Sequence, residues 1–146
     1  MSSYPNRPLI GVGIIVFKRS ETGLQVLLVR RGKPPQEGRW SLPGGRQRLG
    51  ETVREAAERE VLEETGCQVE ITALLEVVDS ITRDEDEAIA YHYTLIDFLA
   101  EWRGGDACAS ADAAEVAWAD PNALEPYALW SETLRVIALG RERLGN

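Results

Sequence analysis

Three glutamates, Glu60, Glu63 and Glu64, lie close together near the end of a helix-forming run, Thr52 to Thr65. At about 100° per residue, Val53, Ala56 and Ala57 fall on one stripe of that helix, which continues into Glu60 and Glu64 with Glu63 at its edge. Arg54, Glu55, Glu58, Arg59 and Leu62 fall on the other side. The face expected to pack inward thus turns acidic in its last two turns. Like charges at i, i+4 spacing cost about 0.2–0.5 kcal/mol even when exposed, and more when desolvated. A cation relieves that cost, and oxygen-only ligands suit hard ions such as Mg²⁺ or Mn²⁺, which leave coordination positions for phosphate oxygens. The plainer alternative is a solvated acidic helix face.

The surrounding elements must hold this stripe in place. Thr52-Val-Arg-Glu55 is a capping-box pattern, and Gly66 stands where a left-handed glycine ends a helix. Upstream, Leu9 to Lys18 and Leu24 to Arg31 read as two strands separated by a polar segment ending in Gly23. A Gly/Pro-rich passage, Gly32 to Gly50, delivers Gly44-Gly45 just before the helix. Downstream the pattern gives a strand-like region from Gln68 to Val78, an acidic loop from Arg83 to Glu87 and a long strand from Ala88 to Leu99. A small-residue loop from Gly104 to Ala114, a short strand from Glu115 to Ala119 and a terminal helix from Ser131 to Leu144 follow. With no repeat and no dividing linker, residues 1–146 read as one α/β domain, a mixed sheet covered by helices on both faces.

The net charge of −8 argues against a nucleic-acid partner or an anionic membrane surface, which need clustered Lys and Arg. Residues Met1 to Pro8 contain no apolar signal core, and Val12 to Phe17 is too short to span a bilayer. A cytoplasmic protein is expected. Cys67 and Cys108 read as free thiols, and with His92 as the single histidine no Cys/His zinc site can be assembled. His92, alternating with Tyr91 and Tyr93 in a strand, reads as structural. Gly45-x4-Gly50 lacks the lysine of a phosphate-binding P-loop, Gly11-Val-Gly13 continues as a strand rather than a dinucleotide-binding turn, and no Gly-x-Ser-x-Gly is present.

Gly45, five residues, Glu51, seven residues, then Arg59-Glu60-Val61-Leu62-Glu63-Glu64-Thr65-Gly66-Cys67 resembles the Nudix box throughout, with Cys67 in place of the usual aliphatic residue. The segments Leu27 to Arg31, Trp40 to Pro43 and Tyr91 to Phe98 look like the bacterial ADP-ribose pyrophosphatase-like subset. The resemblance implies the Nudix α/β/α sandwich, a Mg²⁺- or Mn²⁺-dependent hydrolase of nucleoside diphosphate derivatives, and homodimers as a common assembly. It further implies that Glu60, Glu63 and Glu64, helped by the backbone carbonyl of Gly44, ligate the metal. Glu51 and Arg59 would brace them, with Arg59 on the side opposite the metal stripe. The general base is either Glu63 or Glu115, whose place three residues before Trp118 resembles the family's later glutamate. Arg31, at a strand end, is a candidate for a substrate phosphate, with Trp40 as a packing surface beside it.

ADP-ribose or a related diphosphate sugar is the expected substrate, although Thr82 and Arg83 occupy the place of the proline that marks that subset. The alternatives are a nucleoside triphosphate pyrophosphohydrolase that sanitises nucleotides and a non-catalytic ADP-ribose sensor. A sensor would be expected to show a degraded box or an added basic domain, and here the box is intact.

Overall fold

The computed structural model describes residues 4–33, 36–110 and 112–145. Pro34 and Pro35 of the Gly/Pro-rich passage, and Met1 to Ser3 of the N-terminal stretch, lie outside the described residues. In chain order the elements are β1 (Leu9–Ser20), β2 (Gly23–Arg31), β3 (Trp40–Ser41), β4 (Gly44–Arg46), α1 (Val53–Thr65), β5 (Gln68–Arg83), β6 (Ile89–Gly104), β7 (Ala113–Ala119), a 3-10 turn (Glu125–Tyr127) and α2 (Ser131–Leu144). The sheet runs β3-β2-β1-β6-β5, with β4 also pairing with β1 and β7 with β2. Among the described residues only β1 and β6 pair in parallel; the other pairs are antiparallel.

Strand alternation distributes the apolar residues of β1 to both sides. Ile15 and Phe17 pack with Val136 and Ile137 of α2, whereas Val12, Ile14 and Val16 pack with Ala56, Ala57 and Val61 of α1. Burial on both faces explains why Gly11 to Phe17 reads as a nearly continuous apolar run. Each fully buried Ile or Val contributes about 1.5–3 kcal/mol, so these two clusters fix α1 and α2 on opposite faces. The result is the expected α/β/α sandwich with a mixed sheet.

Both ends of α1 are as the sequence predicts. The Thr52 hydroxyl accepts the Glu55 N–H at 3.0 Å and the Glu55 carboxylate accepts the Thr52 N–H at 2.8 Å. Gly66, at φ 76°, closes the helix. The β5–β6 hairpin is longer than its two sequence segments. Asp84 accepts the N–H groups of Asp86 and Ala88, so the acidic segment is a tight turn rather than a loop. Pairing then extends from Gln68↔Gly104 to Arg83↔Ile89 through four register shifts. The other difference lies in the Gly/Pro-rich passage, which contains β3 and β4. No helix among the described residues is long and apolar enough to cross a membrane.

Candidate active site

A glycine-built clasp joins β4 to α1. β4 lies on β1 through Gly13↔Gly44 and Val12↔Gly45, and the Gly44 N–H donates to Glu64 Oε1 at 2.8 Å. A Cβ on Gly44 would stand 2.1 Å from the Val12 carbonyl oxygen, and one on Gly45 would stand 1.9 Å from Glu60 Oε2. Only glycine lets the loop approach this closely. Glu64 is 9% exposed. Burial pushes its pKa up to about 8 against the lowering effect of the Gly44 N–H; Glu60 and Asp112 add repulsion and Arg31 relieves it. Burial also raises the Glu60 carboxyl, opposed by Arg59.

Arg59 organises the outer half of the cluster. Its Nε and Nη2 donate to Glu51 at 2.5 and 2.9 Å, and Nη2 also reaches the Arg46 carbonyl at 3.0 Å. Its Nη1 donates to Glu60 at 2.5 Å and to Glu63 at 3.2 Å. Arg59 thus pairs with Glu51, but it does not stay opposite the acidic stripe. Its long side chain folds back across the helix, because Glu51 and the Arg46 carbonyl give it partners there. Glu51 is held down to about 2, chiefly by the hydrogen bond from Arg59 and then by the Arg48 N–H. Arg48 Nη2 also approaches Glu63, at 3.4 Å.

With Glu64 bound to Gly44 and with Glu60 and Glu63 bound to Arg59, no three acidic, His or Cys side chains among the described residues are gathered as a metal cage. The donor set nonetheless fits a hard divalent cation. Two desolvated carboxylates that repel each other, with a third at the rim, are what such an ion neutralises. Arg59 holds Glu60 through Oε1, while Glu60 Oε2 lies beside Gly45. The group that Gly44 presents to Glu64 is its N–H.

The remaining candidates separate by sheet face. Arg31 ends β2 just past a register shift against β7, and its charge acts on Glu64. Glu115 pairs in register with Arg30 and accepts from its Nη1 at 2.6 Å. Its strand neighbour Val116 packs on the α1 side, so alternation puts Glu115 on the α2 side, away from the α1 carboxylates. Trp40 also lies on that side, edge-on to Tyr127 with ring centroids 5.0 Å apart.

Four residues not singled out by any sequence pattern join the picture. Arg46 and Arg48 line a cavity of about 380 Å³ with Arg59 and Glu60, and Asp112 acts on Glu64 while pairing with Lys33 at 2.9 Å. Asp97 lies on β6 with 5% exposure. None belongs to a periodic pattern; the only signal available was the density of arginines between Gly45 and Gly50.

The NUDIX domain family matches residues 7–139. An ADP-ribose pyrophosphatase of Methanocaldococcus jannaschii is 35% identical over 127 residues, covering 87% of this chain and 70% of that protein. The 8-oxo-dGDP phosphatase NUDT18 of Danio rerio is 35% identical over 102 residues, 70% of this chain and 28% of that protein. Among solved structures, a MutT NUDIX hydrolase from Burkholderia pseudomallei aligns with a TM-score of 0.76 at 28% identity, covering 92% of this chain and 98% of that one. A match spanning nearly all of the sheet, the clasp and both helices makes this chain a member of the NUDIX domain family.

Proposed function

We propose that this Nudix pyrophosphohydrolase uses a divalent metal to cleave the diphosphate of a nucleoside diphosphate derivative, with ADP-ribose or a related diphosphate sugar as the preferred substrate. The observation that carries the reading is the buried Glu64 carboxyl, locked to Gly44 beside Glu60 and Glu63. Glu60, Glu63 and Glu64 would hold the ion, and the Gly44 N–H would keep Glu64 oriented as it ionises. When bound, a divalent ion neutralises the diphosphate and acidifies a coordinated water.

The chain's own residues supply the rest. Arg46 and Arg48 form a cationic wall along the cavity next to Glu60, where a diphosphate finds compensation in a protein whose net charge is −8. Arg31 faces Glu64 from the neighbouring strand and is the third cation for the phosphates. The base is assigned to Glu63, which stands at the rim of the cluster beside Glu60 and Glu64, ahead of Glu115, which strand alternation puts on the other face of the sheet. Similarity to the archaeal ADP-ribose pyrophosphatase supports the substrate.

A hydrolysis panel of ADP-ribose, other nucleoside diphosphate sugars, NADH, dinucleoside polyphosphates and oxidised and ordinary nucleoside triphosphates, with Mg²⁺, tests this. ADP-ribose ranking first, with AMP and ribose 5-phosphate as products, is the expected result. Similarity to the 8-oxo-dGDP phosphatase favours a second reading, an oxidised purine nucleotide, which a higher kcat/KM for that class would select. Nucleotide binding without turnover would favour a sensor.

A further inference from the structure

Besides Glu64, Asp97 is the buried carboxyl of the described residues. It sits in the middle of β6 on the α2 face, where its neighbours Leu95 and Leu99 are apolar. Its Oδ1 occupies the space beside Gly13, 2.3 Å from where a Cβ would stand, and Leu42 Cδ1 lies 3.7 Å from the same point. The nearest charges are spoken for: Glu76 accepts from Arg135 at 2.8 Å, and Arg135 also holds Glu132. No hydrogen bond or ion pair within the described residues reaches the Asp97 carboxyl. Yet no sealed side-chain polar atom among them lacks a partner, so the Asp97 oxygens must keep an opening. Burying a carboxyl without a partner is costly, and nothing among the described residues repays that cost.

Register connects this opening to the clasp. Gly13 pairs with Asp97 on one side and with Gly44 on the other, so Asp97 lies two strand spacings, about 10 Å, from the loop that holds Glu64. Gly11 and Gly13 leave β1 without side chains of its own between the two places. A nucleotide with its diphosphate at the clasp, reaching past Gly44 to the α2 side of β1, would bring its nucleoside against Leu95, Tyr93 and Asp97, which border Gly11 and Gly13 there. Ionised carboxylate oxygens only accept hydrogen bonds, which selects for donors on that nucleoside.

We propose that Asp97 is a specificity-determining residue that accepts hydrogen bonds from the donor groups of the substrate's nucleoside, the base N–H groups or the ribose hydroxyls. The proposal rests on the nucleotide-hydrolase reading above. Its test is an Asp97→Asn variant, with Asp97→Ser as a second in case the first fails to fold, assayed on ADP-ribose, its hypoxanthine counterpart and its 2′-deoxy counterpart. The expected result is a rise in KM of tenfold or more on ADP-ribose, larger than any fall in kcat, with melting temperature equal to or above wild type.

If base donors are read, the wild type disfavours the hypoxanthine form and the variant loses that preference. If the ribose is read, the 2′-deoxy form behaves so. A KM within twofold of wild type throughout, or an equal loss on all three compounds, overturns the proposal. Should the wild type hydrolyse none of them, the ADP-ribose reading fails separately, and Asp97 is judged by calorimetric binding of AMP, IMP and 2′-deoxy-AMP. Absence of binding to the wild type, or binding unchanged in Asp97→Asn, then overturns it.

Discussion

A single buried carboxyl carries a measurable pH signature. Burial, reinforced by Glu76 and opposed by Arg135, pushes Asp97 up to about 6 from 3.8. Below about pH 3.8 the group is protonated in folded and unfolded chains alike and costs nothing. Between there and about pH 6 the folded state keeps a proton that the unfolded state has released, so stability falls as pH rises, and above pH 6 the full cost is present. Asp97→Asn should therefore raise the melting temperature by several degrees at pH 7.5 and little at pH 4, as thermal denaturation at the two pH values would show. An equal shift at both would contradict an ionised, unpartnered carboxyl. The same scale separates the two candidate bases. Glu63→Gln should lower kcat at least a hundredfold, whereas Glu115→Gln should change kcat less than fivefold; steady-state kinetics reversing that order would return the base to the far strand.

The clasp is a property of elements rather than of any one residue, and glycine substitutions probe it. In Gly45→Ala the new methyl meets the flexible end of Glu60, so the fold should survive while Glu60 is displaced, with kcat at least tenfold lower at nearly unchanged melting temperature. In Gly44→Ala the methyl meets the Val12 backbone, which cannot yield, so β4 should detach with a loss of about 2 kcal/mol or more in denaturant unfolding. Similar losses of stability for both would show that Glu60 is as rigid as backbone. The sequence made α1 legible through its capping box, Gly66 and the acidic stripe, and α2 through its bounds, because each is a long periodic run. β3 and β4 were hidden, since pairs of two and three residues have no period to read, and Gly44-Gly45 reads as a turn until β1 is seen beside it. The reversal of Arg59 was equally hidden: helical angle gives where a side chain starts, not where its guanidinium finds Glu51 and the Arg46 carbonyl. For Glu115, the register of β7 on β2 decided the face, and register is a tertiary fact.

At the scale of the molecule, an acidic chain must handle an anionic substrate, and its arginines are spent unevenly. Arg59 is committed to three carboxylates and Arg135 to two, while Arg48 reaches one, Glu63, and lines the cavity with Arg46. The proposed divalent metal would add positive charge where Glu60, Glu63 and Glu64 concentrate the negative charge. Binding to the folded state alone stabilises it by mass action, about 2.7 kcal/mol at one hundred times the dissociation constant. In a chain of this length that corresponds to a rise of roughly 5–10 °C in melting temperature. The gain should grow with pH, because Glu64 at about 8 must release its proton to ligate, and each proton displaced makes apparent affinity fall as pH falls. A thermal-shift titration with Mg²⁺ at pH 6 and pH 8 should therefore show the larger shift at pH 8, abolished in both cases by Glu64→Gln and by EDTA. Added NaCl at matched ionic strength separates ligation from screening: exposed repulsions across the whole −8 surface respond to any salt, whereas the clasp responds to the divalent ion. A shift reproduced by NaCl, or retained in Glu64→Gln, would locate the effect on the general surface and remove Glu64 from the ligand set.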